Sequence, residues 1–484
     1  MQWLATAVCG LGNAADAVEI MAVSLLLPAA EEDLGLDSHS KAWLASAIFV
    51  GMLLGGMLWG VFSDEYGRKK PFVLAMGVTS VFGVLSATAS STAALVAYRT
   101  ILGLGVGGSV PVAFSYLAEL TATNTRGRCM VILASCWMFG SIYSSGLGWL
   151  IIPRYGWRPF MVVAALPATA CGILTLAFMP ESPRYWLAMS DTRKCEEVLK
   201  YMARFNGKTS PERIMLSHLA LNDSTMAKRG VPGRQMIQER ARSLLKIWKG
   251  SMTRRSITLS VAWFAISCGW YGTVLWIPEI FKRNGAGSVS LYLDMFVVAM
   301  ANLPGNVASI FLVDTIGRKY TLVSAMSLGS IAVILFALTP KTPLWGLASI
   351  SVFNGISVAG WNALGLLTPE SYPTTVRTTA MGTLGAIGRL GSISGQWING
   401  VLMDIEVWLP LAVASVILMI GACAACFLPE TKGKDIADNL VEAKLGVTDR
   451  ERSTDNSESP PLFSDDAYDD VPEAWNKAGG SLIV

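Results

Sequence analysis

The sequence predicts an all-α membrane protein with twelve membrane-spanning helices in two similar six-helix halves. The first observation is composition: of 484 residues, 52% are hydrophobic and 15% are charged, whereas a typical soluble domain has about 25% charged residues. The second is that the charges leave long apolar stretches between them. The third is an internal repeat with an offset of about 250 residues.

Twelve apolar stretches define the predicted spans. Ten of them, each of 19 to 28 residues, contain no Asp, Glu, Lys or Arg: 42–63, 71–98, 100–118, 129–153, 159–180, 256–278, 295–313, 320–340, 342–369 and 407–429. Stretch 1–30 is interrupted by Asp16 and Glu19, and 378–403 by Arg389. A helix needs roughly 20 residues to cross a bilayer core. Because backbone groups in lipid must satisfy their own hydrogen bonds, the spans are predicted to be helices.

The positions of the cations predict the orientation. With Met1 on the cytosolic side, most of the 38 lysines and arginines fall in cytosolic segments, so the positive-inside rule places both termini in the cytosol. The cations predicted to lie outside are Lys41, Arg154, Arg158, Lys282, Arg283 and Lys341. The basic residues follow topology and form no patch interleaved with aromatic residues, so no nucleic-acid partner is expected.

Landmarks of the first half recur in the second at offsets of 249 to 251 residues. The pairs are Asp64 and Asp314, Gly67 and Gly317, Arg68 and Arg318, Lys69 and Lys319, Glu119 and Glu370, Arg126 and Arg377, and Pro180-Glu181 and Pro429-Glu430. One shared offset predicts a duplicated unit, and parallel repeats of this kind are typical of transporters.

The repeat sets the predicted domains. Residues 1–179 and 255–430 are the two six-helix halves, joined by a charged cytosolic loop at 180–254 that is expected to hold short surface helices. Residues 431–484 are rich in acids, Ser and Pro, a composition that cannot bury a core. This tail is predicted to be disordered, and its end, Leu482-Ile483-Val484, offers a weak match to a PDZ-domain ligand.

Several motifs resemble the major facilitator superfamily, and within it the branch of synaptic vesicle glycoprotein 2 and the niacin and organic-ion transporters. General motifs are the GRKK turn at 67–70, Arg99 with GLGVG at 103–107, and PESPR and PETKG at the ends of the halves. The branch is carried by DAVE (16–19), LLLPAAEEDLGL (25–36), GGSVPVAFSYLAEL (107–120), WLIIPRYGW (149–157), LPGNVASIFLVDTIGRK (303–319) and GISVAGWNALGLLTPESYPTTVRTTAMG (355–382). The resemblance implies a monomer that carries a small organic solute between its halves by alternating access.

Three charges inside the first half are candidates for proton or ion coupling. Asp16 and Glu19 are three residues apart, so they share one face of the first helix. Acids within a membrane almost always face a cavity, a partner or a proton path, and two such close carboxyl groups form a titratable site. The family resemblance gives Arg99 a role in coupling, paired with either acid. The alternative for all three is a static salt bridge between helices.

Central aromatic residues, one amide and one cation are predicted to line a substrate cavity. They are Trp137, Trp263, Trp270, Tyr271, Trp361, Asn362 and Arg389. Membrane tryptophans concentrate at interfaces, so those at mid-span indicate a cavity, although packing in the core is the alternative. The resemblance places Trp137 and Trp361 in a ligand cage. Arg389 can hold a substrate carboxylate or close a salt bridge to the first helix, which leaves the charge of the substrate open.

The two charged turns that recur at the shared offset are predicted to control access to the substrate site. Each glycine permits a positive φ, and Asp64 and Asp314 are expected to meet the amide end of the following helix and the nearby arginines. Glu119 with Arg126, and Glu370 with Arg377, are the expected partners. By resemblance this charge network latches one access state.

The predicted function is therefore secondary active transport of an organic ion, a nicotinate-like carboxylate or a sugar. Coupling of this transport to protons is a further hypothesis. The alternative is a small-ligand-binding or trafficking protein that moves nothing. An enzyme is not expected, because the two histidines, His39 and His218, lie in loops and the sequence shows no metal-ligand pair, nucleophile elbow or phosphate loop. No cofactor or metal is expected; the partners are the lipid bilayer, the substrate and protons. The membrane is either the plasma membrane or that of an intracellular vesicle.

Overall fold

The computed structural model describes residues 1–207, 247–249, 252–285, 287–339 and 343–433, and within these ranges the regular structure is helical. The first half contains α1 (Gln2–Ala29), α2 (Glu31–Leu34), α3 (Ser38–Tyr66), α4 (Lys69–Ser86), α5 (Thr92–Leu120), α6 (Thr123–Tyr155), α7 (Trp157–Ala164) and α8 (Leu166–Phe178). The second half contains α11 (Met252–Arg283), α12 (Ser288–Met300), α13 (Asn302–Thr315), α14 (Arg318–Leu338), α15 (Pro343–Glu370), α16 (Thr374–Leu402) and α17 (Leu409–Ala425). Between the halves lie α9 (Pro183–Ala188) and α10 (Thr192–Phe205).

The helices confirm the predicted all-α membrane fold. By length and composition, nine helices of the described chain can cross a membrane, when α7–α8 and α12–α13 are each counted as one. The shorter α17 and the helices α4 and α16 cover the three remaining predicted spans. One boundary was wrong: stretch 71–98 contains the turn between α4 and α5, which a search for charges misses because its residues are uncharged.

Small residues bring α3 and α5 into backbone contact. A Cβ atom added to Gly51 would lie 2.1 Å from the carbonyl oxygen of Thr100, and one added to Gly103 would lie 2.3 Å from that of Ile48. Gly55 and Gly107 repeat this arrangement further along the two helices. The glycine run of α5 therefore serves close helix packing.

Three helix pairs make the main contacts between the two halves. α3 packs on α16, α6 on α12, and α1 on α11. The turns at Gly67-Arg68-Lys69 and Gly317-Arg318-Lys319 follow equivalent helices of the two repeats, and we call the side of the bundle where they lie the GRK end. The other side, where α2 and the end of α11 lie, is the opposite end.

Two predicted segments fall mainly outside the described residues. Within the predicted loop at 180–254 the structure describes α9, α10 and a few residues before α11, and the short helices agree with the expectation for this part. Residues 208–246 and the tail from 434 onward, with its predicted disorder and PDZ motif, lie outside the described chain.

Candidate functional site

A buried ion pair joins α1 to α5. Glu19 and Arg99 are both fully buried, and their charged atoms lie 2.8 Å apart. A second nitrogen of Arg99 contacts the sulfur of Met161 at 3.1 Å. The sequence left Asp16 and Glu19 as alternative partners of Arg99, and in the structure Arg99 pairs with Glu19. The two opposite charges neutralise each other in a place that water does not reach.

Asp16 lies one turn away from Glu19 and also faces α5, but it has a neutral partner. Its carboxylate accepts a hydrogen bond of 2.6 Å from the hydroxyl of Ser109. The other oxygen of Asp16 is buried and has no hydrogen-bond partner in the described chain. Sequence reasoning did not single out Ser109, since a serine among glycines in an apolar span carries no distinctive pattern. Asp16 is thus a buried carboxyl group without a paired cation, in contrast to Glu19.

Four aromatic rings from α11 and α15 form one cluster. The ring of Trp361 lies 5.9 Å from each of the rings of Trp263, Trp270 and Tyr271, in edge-on arrangements. Trp270 and Tyr271 are neighbours in α11, with centroids 4.7 Å apart. Tyr271 also contacts Phe49 of α3 at 4.8 Å, so the cluster reaches the boundary between the halves.

Arg389 of α16 lies beside this cluster without a counter-ion. Its guanidinium carbon is 6.0 Å from the centre of the Tyr271 ring, and in the described chain no hydrogen bond or ion pair holds it. Two indole N–H groups of the cluster, on Trp270 and Trp361, are buried and lack an acceptor. Trp263, in contrast, donates to the hydroxyl of Thr368 at 3.0 Å. In the described chain, two indole N–H groups of the cluster and the neighbouring guanidinium of Arg389 are therefore without acceptors.

Two of the predicted cavity residues lie outside the ring contacts of this four-ring cluster. Asn362 donates to Asn306 at 3.1 Å and to Ser309 at 2.7 Å, so its amide is used in packing α15 on α13. Trp137 of α6 is half-buried and makes no ring contact with the aromatic cluster in the described chain. Asn306 in turn donates to Ser135 of α6 at 3.3 Å, which ties the two halves together.

The first GRK turn is a compact charge network. Arg68 lies 3.1 Å from Asp64 and 3.1 Å from Glu119, and it also donates to the hydroxyl of Ser63 at 2.7 Å. In the second turn the matching distances from Arg318 are longer, 3.5 Å to Asp314 and 3.4 Å to Glu370. The repeat is therefore tighter in the first half than in the second.

The amide ends of the helices after these turns are capped by Glu181 and Glu430, not by the aspartates as expected. Glu181 accepts from the backbone N–H of Arg68 at 2.7 Å, and Glu430 accepts from that of Arg318 at 2.9 Å. Burial opposes the charge of Glu430, yet its backbone N–H donors outweigh burial and hold its pKa below the ordinary value. A helix N-terminus favours a carboxylate in this way.

Glycine is required at these turns for two reasons. Gly67 has φ of +92°, and a Cβ atom on it would lie 2.5 Å from an oxygen of Glu181. Gly317 has φ of +106° and the same relation to Glu430. An L side chain would be strained and would displace the capping carboxylate.

Among the described residues, Arg126 and Arg377 do not form the predicted pairs with acids. Arg126 contacts the carbonyl oxygen of Thr121 at 3.5 Å, and Arg377 donates to the carbonyl oxygen of Pro369 at 3.0 Å. Both arginines therefore bond to carbonyl oxygens at the end of the preceding helix. The repeat offset revealed their equivalence but not their partners.

Two six-helix halves with repeated charged turns, and with charged and aromatic side chains within the membrane spans, define a polytopic membrane transporter. The sequence profile of the Major Facilitator Superfamily matches residues 3–396 and 311–464. The chain belongs to the Major Facilitator Superfamily.

Curated relatives include transporters and vesicle proteins. The chain is 30% identical to organic cation/carnitine transporter 7 of Arabidopsis thaliana, over 90% of this chain and 93% of the relative. It is 25% identical to synaptic vesicle glycoprotein 2C of Mus musculus and 27% identical to synaptic vesicle glycoprotein 2A of Rattus norvegicus. These matches cover 89% and 90% of this chain, and 79% and 78% of the relatives.

Among solved structures, the fold is similar to the xylose transporter XylE from E. coli in a partially occluded inward open conformation. The TM-score is 0.70 at 20% identity, and the match covers 90% of this chain and 99% of XylE. This likeness supports the fold.

Proposed function

We propose that this protein is a secondary active transporter that carries a small organic anion together with a proton, by alternating access between its halves. The observation that favours an anionic substrate is the position of Arg389. A cation inside a membrane protein is costly unless it is paired, and Arg389 lies beside aromatic rings without a counter-ion among the described residues. A substrate carboxylate supplies that partner.

The unused N–H groups of Trp270 and Trp361 support the same class of substrate. A buried donor without an acceptor costs about 1–3 kcal/mol, and an anionic oxygen is a strong acceptor. The surrounding rings favour a flat, partly apolar body. A planar organic carboxylate therefore satisfies the charge, both donors and the apolar walls at once.

Asp16 is the proposed carrier of the proton. Glu19 and Arg99 neutralise each other, so Asp16 and Arg389 are the other two of the four mid-span charges that the sequence singled out. An ionised Asp16 and Arg389 carry opposite charges, which attract each other across a low-dielectric interior. A proton on Asp16 removes its attraction for Arg389 and leaves the guanidinium to the substrate, so a proton and an anion are taken up together. Loss of the proton restores the competing carboxylate and favours release.

The orientation and the division of the chain belong to this proposal. The distribution of cations supports cytosolic termini, with the GRK end facing the cytosol. The two halves at 1–179 and 255–430 are the moving bodies, and one monomer suffices because both sites lie within a single chain. The plasma membrane and an intracellular vesicle membrane both suit such a transporter.

A protein that binds a ligand without moving it is the second candidate. The observation in its favour is the similarity to synaptic vesicle glycoproteins 2A and 2C. The retained charge networks in both GRK turns favour a working transport cycle instead. Binding without uptake would identify the second candidate.

Uptake into proteoliposomes tests the proposal. Labelled nicotinate, tetraethylammonium and a hexose are offered with and without an inward proton gradient. We expect nicotinate or a related planar carboxylate to accumulate, and the gradient to stimulate it. Asp16→Asn is expected to abolish the stimulation, because asparagine cannot exchange a proton. Preference for the organic cation, or uptake that ignores the gradient, would contradict the proposal.

Asp294→Asn is the matched control. Asp294 is a half-buried acid of α12 in the other half of the protein. Its substitution by asparagine removes the same charge as Asp16→Asn, but at a position away from α1 and α5. Gradient-driven uptake is expected to persist in this variant. If both variants lose it equally, the effect is not specific to Asp16.

The asymmetry of the GRK turns gives a further prediction. Asp64→Asn is expected to lower the initial uptake rate about tenfold, because it breaks a half-buried network that Arg68 shares with Glu119. Asp314→Asn is expected to change the rate less than about twofold, since the Asp314 side chain is 73% exposed and exposed ion pairs contribute little. Surface biotinylation checks that both variants reach the membrane. Equal rates in the two variants would argue against this interpretation.

A further inference from the structure

A chain of alternating charges joins the two halves at the opposite end. It runs from Lys282 to Glu31 at 2.5 Å, from Glu31 to Lys41 at 2.9 Å, and from Lys41 to Glu279 at 2.9 Å. Arg283 continues it, 2.9 Å from Glu279 and 3.2 Å from Asp404. Three cations alternate with three anions, so the chain is neutral as a whole. Glu31 and Lys41 come from the first half, and the other four charges come from the second.

The central link of this chain is buried. The Lys41 side chain is 1% exposed and that of Glu279 is 2% exposed. Topology alone placed Lys41 in an outside loop, but it lies in the first turn of α3, facing α11. A buried lysine that loses its carboxylate partners becomes an uncompensated charge, which is strongly unfavourable.

Apolar contacts between α3 and α16 also join the two halves near these charges. Trp43 of α3 packs edge-on against Trp397 of α16, with ring centres 4.8 Å apart. Ala42 occupies the space beside Gly400, where an added Cβ atom would lie 2.5 Å from the Cβ of Ala42. At the GRK end, by contrast, the ion pairs described for Arg68 and Arg318 stay within their own halves.

We propose that Lys41 and Glu279 are the central pair of a gate that holds the opposite end closed and must separate for the halves to part there. Opening moves α3 away from α11, so it breaks the Lys41–Glu279 and Lys282–Glu31 links in one step. The remaining neighbours of Lys41 and Glu279, which are Glu31 and Arg283, then keep each charge paired within its own half while water enters. This arrangement lowers the free energy of the open state relative to one with unpaired charges.

The outer acids of this gate keep their charge at neutral pH. Burial of Glu31 works against ionisation, but hydrogen bonds from Lys282 and Lys41 outweigh it and hold its pKa below the ordinary value. The hydroxyl of Ser38, followed by Arg283, lowers the pKa of Asp404. A lowered pKa in the closed state means that these links weaken only when the pH falls through that value. The gate is therefore distinct from the proton site at Asp16.

Thiol labelling tests the gate without any substrate. Ser46 is 1% exposed and lies one helical turn from Ala42 on α3, below Lys41. The Ser46→Cys variant is reacted in detergent with a polar thiol reagent, and the rate is measured above the background of the unmodified chain. We expect Lys41→Met to raise the labelling rate of this cysteine by at least about tenfold, which corresponds to 1.4 kcal/mol. Glu279→Gln is expected to act in the same direction.

Two comparisons make the outcome specific. The double variant Lys41→Met/Glu279→Gln is expected to label no faster than the faster single variant, because both remove the same link. Arg158→Gln breaks an ion pair with Asp33 at the same end but inside one half, and it is expected to leave the rate unchanged. Unaltered labelling in folded, monodisperse Lys41→Met or Glu279→Gln protein would overturn the proposal. The result is independent of the proposed substrate and proton, because neither enters the assay.

Discussion

Substitution of Arg389 by glutamine is expected to reduce uptake of the organic anion by at least about thirtyfold. Removing one partner of a desolvated charge pair costs about 2–5 kcal/mol, and each 1.4 kcal/mol changes affinity about tenfold. Trp270 and Trp361 would still donate to the substrate, but neutral donors do not replace a guanidinium. The measurement is the concentration dependence of nicotinate uptake, with direct binding measured by calorimetry.

Arg389→Lys separates charge from geometry. Lysine keeps the positive charge but cannot make the two parallel hydrogen bonds that arginine makes with a carboxylate. We expect it to retain part of the affinity, between that of the unmodified protein and Arg389→Gln. If Arg389→Gln binds and transports the anion normally, Arg389 is not the substrate's partner.

Glu19→Gln is expected to destabilise the protein by about 3–5 kcal/mol, since it leaves Arg99 buried without a counter-charge. Arg99→Met is expected to have a comparable effect, because it leaves Glu19 buried without a counter-charge. The double variant Glu19→Gln/Arg99→Met is expected to recover much of the loss, because replacing both charges of a buried pair is often nearly neutral. Thermal unfolding in detergent, followed by the loss of monodisperse protein, measures all three.

Asp16→Asn is the control for that experiment. It changes a buried acid on the same helix, but Asp16 bonds to the neutral Ser109 and forms no ion pair in the described chain, so the substitution breaks no buried salt bridge. Its melting temperature is expected to stay much closer to that of the unmodified protein. A drop as large as that of Glu19→Gln would mean that Asp16 also carries an essential ion pair.

Most of the fold could be predicted from the sequence because its determinants are local. Apolar stretches of sufficient length predict helices in lipid, and the offset between Asp64 and Asp314 reveals the duplication. The main local error was the turn between α4 and α5, which lacks charges. The site was predicted as a set of residues, since an intramembrane charge such as Arg99 or Arg389 stands out against its neighbours.

The partners within the site could not be predicted, because they depend on how distant helices rotate against each other. The sequence could not decide whether Arg99 meets Asp16 or Glu19. Nor could it show that Lys41 meets Glu279, which is 238 residues away. Asn362 is a further example of a partner that could not be predicted. It is adjacent to Trp361 in the sequence, yet its amide bonds to α13 and not to the aromatic cluster.

The glycine contacts between α3 and α5 have a mechanical consequence. The backbones of α3 and α5 touch at Gly51 and Gly103, so no flexible side chains lie between them to absorb a displacement. We therefore expect the two helices to move as one rigid unit. Lys41 lies in the first turn of α3, and Ser109 lies on α5 and bonds to Asp16. In the proposed transport cycle, a shift of α5 that follows a change of charge at Asp16 would therefore also move Lys41, because no side chains between the helices absorb it.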